Sequence, residues 1–214
     1  TRFAISGNHF YVATSSTIGV YNIAQNNFQH VRDVIVDFGL ETIFANGEFL
    51  YLGARDAMYI YSIANPAQPS FIFRYAHIVS CDPVVVQGNR AYVTLRTGTS
   101  CNLGTNALEI LDISNPLNPQ LLANKPMTSP GGLGIEGNCL FICEGTYGLK
   151  MLNVADPNHI IELNSITNIN AYDVIVRDAV ATVTGGDGIF QYNFNCTDGN
   201  MTLASTIPVQ RADF

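Results

Sequence analysis

The sequence predicts an all-β fold made of five repeated four-stranded sheets. Two apolar segments recur about every forty residues, and the composition is rich in turn formers and poor in charge. A fixed period of this length marks a repeated supersecondary unit.

The first recurring segment is an apolar run, a tight turn and a second apolar run. It reads FAISGNHFYVAT (3–14), TIFANGEFLYLGA (42–54), PVVVQGNRAYVTL (83–95) and LGIEGNCLFICEG (133–145). A fifth copy, VIVRDAVATVTGG (174–186), keeps the apolar pattern, and Ala179 aligns with the turn glycine. Gly7, Gly47, Gly88 and Gly137 are spaced 40, 41 and 49 residues apart. A Gly-Asn pair between two apolar runs predicts a two-residue hairpin turn. The first strand of each copy is apolar almost throughout, as a strand buried on both faces is.

The second recurring segment reads GVYNIA (19–24), YIYSIA (59–64), EILDIS (109–114), KMLNVA (150–155) and FQYNFN (190–195). Ile23, Ile63, Ile113, Val154 and Phe194 are 40, 50, 41 and 40 residues apart, so two landmarks give one period. The second and third strands alternate, with Tyr59, Tyr61 and Ile63 set against Met58, Ile60 and Ser62. Turns at Asn65-Pro66, Asn115-Pro116 and Asp156-Pro157 follow, where proline presets φ. Fourth strands are predicted over 70–75, 120–126, 160–166 and 201–209. Four strands every forty residues predict a β-propeller with blades 1–36, 37–77, 78–127, 128–167 and 168–214. Five complete blades suffice for a ring, and a part of a larger propeller is the alternative. A solenoid fits less well, because its coils rarely carry four antiparallel strands.

Composition agrees. The chain has 214 residues, 47% hydrophobic and 13% charged, with 18 Gly, 9 Pro, 10 Tyr and no Trp. Exposed helices need far more Lys, Glu and Arg. A net charge of −7 argues against nucleic-acid binding and a polybasic membrane anchor. No apolar run is long enough to span a bilayer as a helix. The chain opens on Thr1 without a signal peptide, which reads as a processed or partial chain.

The stretch ALEILDISNPLNP (107–119), together with CDPVVVQGNRAYVTL and GLGIEGNCLFICEGTYGLKMLNVADP, resembles the LVIVD-repeat family, and most closely its lipoprotein-type members from Bacteroidetes. The resemblance covers nearly the whole chain. It implies an extracellular, outer-surface or periplasmic propeller, lipid-anchored in some members, with no established chemistry. WD repeats would need Trp-Asp pairs. Kelch repeats would need paired glycines in every blade, and here Gly185-Gly186 alone is well placed.

Strand order puts the glycine turns and the Asn-Pro turns at one end of each blade, the bottom. Loops between strands two and three, and links between blades, lie at the top. The top loops vary, and variable loops on a rigid scaffold carry binding. Blade three carries nine extra residues within Arg96–Asn106, including Cys101. A Cys81–Cys101 disulfide would pin that insertion in an oxidising compartment; two unrelated thiols is the other reading. Cys139 and Cys143, four apart on one strand, are too distant to pair with each other, and Cys196 stands alone.

Six residues before each turn position lie Thr1, Glu41, Asp82, Gly131 and Asp173. Converging Glu41, Asp82 and Asp173 would favour a cation or a basic ligand group, with Ca²⁺ or Mg²⁺ suited to oxygen donors. The alternative is that they satisfy backbone N–H groups where strands begin. Rim candidates on the same face are Arg55, Asp56, Arg96, Glu144, Tyr147 and Asp187. No nucleophile elbow, phosphate-cradling loop or paired-histidine motif is present. The expectation is therefore a non-enzymatic propeller that binds a protein, peptide or glycan, with no resident cofactor. A structural part of a larger surface assembly is second. A glycosidase using converging carboxylates is third and rests on fold analogy. The triplets Asn195-Cys196-Thr197 and Asn200-Met201-Thr202 mark an exposed polar loop.

Overall fold

The computed structural model describes residues 2–36, 39–55, 57–76, 83–97 and 105–209. Within these, five four-stranded antiparallel sheets follow one another, and the strands of each are neighbours in chain order. Blade one holds β1 (Phe3–Ser6), β2 (His9–Ala13), β3 (Thr17–Asn22) and β4 (Gln29–Ile35). Blade two holds β5 (Leu40–Asn46), β6 (Phe49–Ala54), β7 (Ala57–Ser62) and β8 (Ser70–Ala76). Blade three holds β9 (Val84–Gln87), β10 (Arg90–Leu95), β11 (Ala107–Asp112) and β12 (Gln120–Pro126). Blade four holds β13 (Leu133–Glu136), β14 (Cys139–Cys143), β15 (Leu149–Asn153) and β16 (Ile161–Ile166). Blade five holds β17 (Ala171–Arg177), β18 (Val180–Gly185), β19 (Gly188–Phe194) and β20 (Met201–Pro208). The chain forms two compact units with the boundary after Asn124, blades one to three in the first and blades four and five in the second.

Each core is made by blade faces meeting. In blade two, Leu50, Leu52, Tyr59 and Tyr61 join Tyr11, Ile18 and Val20 of blade one. The intervening Tyr51, Met58 and Ile60 join Val84, Val86, Ala91 and Val93 of blade three. Alternate side chains of a strand point to opposite faces, so β6 and β7 fill two cores at once. In the second unit, Cys139, Phe141, Leu149 and Met151 of blade four meet Val174, Ala181, Val183 and Tyr192 of blade five.

Burial therefore falls on different strands than the sequence reading expected. β7 and β11 are buried along nearly their whole length, whereas the first strands β1 and β17 expose Phe3, Ile5, Tyr172 and Ile175. Mid-sheet strands of blade two are covered on both faces by neighbouring blades, and the first strand of each blade is a sheet edge.

The hairpin turns explain the repeat's glycine. Pairing of Ser6 with His9, and its equivalents, leaves two central residues, and φ is positive at the first: +55° at Gly7, +57° at Gly47 and +58° at Gly88 and Gly137. That is the type II′ pattern, which selects Gly. In blade five Arg177 pairs with Val180, so Asp178 and Ala179 are the central residues, and both have positive φ. The turn is of type I′ character. Its first residue, Asp178, occupies the glycine position, so the alignment through Ala179 is one residue out.

The outer turns rest on side-chain caps as well as on proline. Ser62 and Asn65 accept hydrogen bonds from the N–H groups of Ala64 and Ala67. Asp112 and Asn115 do the same for Ser114 and Leu117, as do Asn153 and Asp156 for Ala155 and Asn158. Asn195 and Asp198 cap the blade-five turn, which has no proline. Two such turns three residues apart reverse the chain in each case.

Candidate functional site

In the first unit, Leu40 pairs with Ala54 and Thr42 with Gly53, which leaves Glu41 as an unpaired bulge residue at the top end of β5. Bulges re-aim side chains at sheet rims. Glu41 is half-buried, and the neighbouring Thr42 is turned inward, its Oγ1 accepting the Val84 N–H of blade three at 3.2 Å. Arg55 lies with its stem against Gly39, where a Cβ would come within 3.0 Å of the Arg55 Cγ, and its Nε is buried rather than held out at a rim. Arg96 is exposed at the start of the insertion. Next to it, Asn106 Oδ1 accepts from the Thr97 N–H at 2.8 Å and from the Thr97 hydroxyl at 3.1 Å, which ties the insertion's two ends together. Asp82, Asp56, Cys81 and Cys101 lie outside the described residues.

In the second unit the register corrects the candidate set. Ala171 pairs with Gly185 and Asp173 with Thr184, so the bulge residue of blade five is Tyr172. Tyr172 is the counterpart of Glu41, and Asp173 is the counterpart of Thr42. Asp173 accepts the Val174 N–H at 2.9 Å and packs against Gly132, where any Cβ would overlap its carboxylate. It also lies near the buried Cys143, whose thiol pKa is pushed up by burial and by the Asp173 charge. Asp173 is thus fitted between blades four and five. Among the described residues, no three His, Cys, Asp or Glu side chains group as a metal site would require.

Glu144 is not a rim residue. It is fully buried, accepts the Thr128 and Ser129 N–H groups at 2.8 and 3.2 Å, and faces Lys150 Nζ at 3.1 Å. Lys150 also lies 3.6 Å from Glu162. For Lys150, burial lowers the pKa, but Glu144 and Glu162 together outweigh it and leave the ammonium above its usual range. This ion pair anchors the loop 144–148 from below. From its other side, Gly145 and Ala171 exchange backbone hydrogen bonds at 3.0 and 2.9 Å, which fastens the loop to blade five. Gly148, at φ +91°, admits the Ile166 carbonyl where a Cβ would overlap it.

On this support stand two tyrosines. Tyr147 is 57% and Tyr172 54% exposed. Asn170 Nδ2 donates to the Tyr172 hydroxyl at 3.1 Å, and that hydroxyl lies over Gly186, 2.9 Å from where a Cβ would stand. Asp187 is exposed beside Gly186. The sequence reading found Tyr147 alone, because Tyr172 becomes visible only once the blade-five turn is aligned on Asp178.

The bottom of the second unit is built differently. Cys139 and Cys196 form a disulfide with Cα atoms 5.6 Å apart, joining β14 to the outer turn of blade five. Cys196 is therefore partnered, not alone. Glu136 accepts the N–H groups of Asp178 and Ala179, one on each carboxylate oxygen, both at 2.9 Å. A wide cleft of about 710 Å³ opens here, lined by Glu136, Asn138, Asn153, Asn195 and Thr197 among others. Its carboxylate and Asn153 and Asn195 are spent on local turns.

Residues 41–77 and 80–124 match the model of the LVIVD repeat. Among curated proteins nothing matches the sequence. Among solved structures, the chain is similar to a functionally unknown protein from Desulfotomaculum acetoxidans, at 14% identity and a TM-score of 0.79, over 97% of this chain and 69% of that one. It is similar to a protein from Lactobacillus plantarum at 12% identity and a TM-score of 0.76, over 96% and 70%. It is also similar to the periplasmic gluconolactonase PpgL of Pseudomonas aeruginosa at 12% identity and a TM-score of 0.71, over 95% and 68%. At such identities the likeness is one of fold, a β-propeller with four-stranded blades.

Proposed function

The chain carries LVIVD repeats and folds as β-propeller blades, and we propose that it is a non-enzymatic binding module outside the cytoplasm, holding a protein, peptide or glycan partner on the top of its blades. The observation that carries this reading is the pair of exposed tyrosines: Tyr147 on a loop fixed by the ion pair of the buried Glu144 with the half-buried Lys150, and Tyr172 at the start of β17, which the Gly145–Ala171 bridge joins to that loop. Tyrosine supplies a large amphipathic contact at low entropic cost, and a rigid support lowers that cost further. The extracytoplasmic location draws on the Cys139–Cys196 disulfide, since such bonds persist in oxidising compartments.

The test is binding of the purified chain to arrays of surface glycans and peptides. Binding abolished by the Tyr147→Ala/Tyr172→Ala double variant, and kept by a Leu121→Ala control on the exposed β12, is the expected result. Equal binding by both variants overturns the placement of the site.

A structural role in a larger assembly is favoured by one observation. The outward face of blade one exposes Phe3, Ile5 and Ile35 at 54, 56 and 84%, with Phe28 at 66% beside Phe10. An apolar patch of this kind marks an interaction surface. In this reading the occupant is a second copy of the chain. Sedimentation velocity would then show a concentration-dependent dimer, lost in Phe3→Ser/Phe28→Ser. A monomer at all concentrations removes the reading.

A further inference from the structure

We infer that the tyrosine platform of the second unit binds neutral carbohydrate; this rests on the binding-module reading above and narrows it to one ligand class. Four features point there.

The exposed surface is aromatic. Tyr147 projects from the loop 144–148 and Tyr172 from the start of β17, and the two segments are bridged at Gly145 and Ala171. Gly145 and Gly186 flank them and add no side chain of their own. A peptide is recognised through a free sheet edge, a groove or a pocket for its side chains, and at this end of β17 the edge is already occupied: Ala171 exchanges hydrogen bonds with Gly145, and the Tyr172 carbonyl accepts the Gly132 N–H. A sugar ring needs only a flat partner, because its C–H face is apolar and weakly positive and meets the negative face of an aromatic ring.

The polar groups suit hydroxyls. Asn170 Nδ2 donates to the Tyr172 oxygen, so the Tyr172 hydroxyl proton remains a donor and Asn170 Oδ1 an acceptor. Asp187 adds exposed carboxylate oxygens, which accept from vicinal hydroxyls. The local charges do not favour anions: Lys150, beside the loop, is held by Glu144 and Glu162, and Asp187 is acidic. Sulfated or uronic sugars are therefore disfavoured. Finally, Tyr172 is oriented before any ligand arrives, by Asn170 at 3.1 Å and by the bulge that leaves it unpaired within β17.

The experiment uses the full chain with three neutral hexasaccharides, built from glucose, mannose or N-acetylglucosamine. Saturation-transfer NMR and calorimetry read binding. At least one hexasaccharide should bind, with saturation transferred to ring C–H protons. Tyr147→Ala and Tyr172→Ala should each weaken it at least about tenfold. Tyr172→Phe, which keeps the ring and loses the hydroxyl, should weaken it by about three- to tenfold. Unchanged thermal midpoints would separate these losses from misfolding. Binding that is indifferent to both alanine variants overturns the site. No binding to any hexasaccharide overturns the carbohydrate class; if the same variants then abolish binding to a peptide on the array, the binding-module reading survives without it.

Discussion

The two units hold their blades together by different chemistry at the same place in the fold. Four residues beyond the turn glycine lies the centre of the second strand, occupied by Tyr11, Tyr51 and Tyr92 in the first unit and by Phe141 in blade four of the second. All four are buried. From this position Tyr11 reaches across to blade two and donates its hydroxyl to the Pro66 carbonyl in the outer turn, at 2.9 Å. Phe141 has no hydroxyl to offer and packs on Phe194, with ring centroids 4.7 Å apart. There the same two elements, second strand and next outer turn, are joined covalently by Cys139 and Cys196. A phenol that must find a partner and an apolar ring beside a disulfide are two solutions to one geometric problem. They leave the units with different vulnerabilities.

The largest difference is expected on reduction. The Cys139–Cys196 bond closes a loop with a sequence separation of 57 residues. A cross-link of this span restricts the unfolded chain enough to stabilise by about 2–4 kcal/mol. Dithiothreitol, or Cys196→Ser, should raise hydrogen exchange throughout 133–208 and leave 3–76 unchanged, as read by mass spectrometry of peptides. Equal exchange in both units after reduction would show that the bond is not what holds blades four and five.

Alkali should reverse the order of vulnerability. Burial pushes the Tyr11, Tyr51 and Tyr75 hydroxyls up to about 12, with the Glu109 charge and hydrogen bond adding to the effect at Tyr75. All three lie in the first unit. In the unfolded chain these phenols ionise near 10, so the folded state holds protons that the unfolded state releases. The stability they contribute is present below pH 10 and is lost as pH rises through 12. In the second unit Tyr192 is shifted the same way by burial, less strongly. Tyrosinate absorbance followed from pH 9 to 12.5 should show a late group of ionisations that coincides with loss of the far-ultraviolet β signal. Tyr11→Phe/Tyr51→Phe/Tyr75→Phe should diminish that late group. A single ionisation near 10 with the fold intact would contradict it.

The sequence was legible where backbone geometry demands a residue type. A type II′ turn takes Gly, so Gly7, Gly47, Gly88 and Gly137 set the period and the blades could be counted. Where the same geometry is met another way, reading failed. Asp178-Ala179 adopts two positive φ values and carries no glycine mark, so an alignment through Ala179 runs one residue out and groups Asp173, in place of Tyr172, with Glu41. Packing between blades left no mark either. The partner of Cys196 lies a blade away, and the burial of Glu144 depends on Thr128, Ser129 and Lys150, none of which forms a motif with it. Asn65-Pro66 and its equivalents were legible through proline, while the Asx turns of Asn195 and Asp198 were not.

The smallest expected effect concerns those turns. In blades two and four the residue before the turn ties the blade to the next one: Asn46 Nδ2 donates to the Gly88 carbonyl at 3.0 Å, and Glu136 accepts from both Asp178 and Ala179. The two ties occupy the same position and have opposite polarity. A glycine turn needs no help with its φ, and a neutral amide suffices beside it. Asp178 and Ala179 hold left-handed φ values at a cost that glycine avoids, and there a carboxylate fixes both exposed N–H groups. Glu136→Ala should therefore destabilise the second unit by about 1 kcal/mol, the worth of a partly exposed pair of hydrogen bonds. Asn46→Ala should cost about half as much in the first. Ala179→Gly in the Glu136→Ala background should recover part of the loss, since glycine relieves the strain that the carboxylate offsets. Denaturant midpoints of the four proteins decide it: equal losses at 46 and 136, with no recovery at 179, would mean that the turn is held by its strands and not by its neighbour.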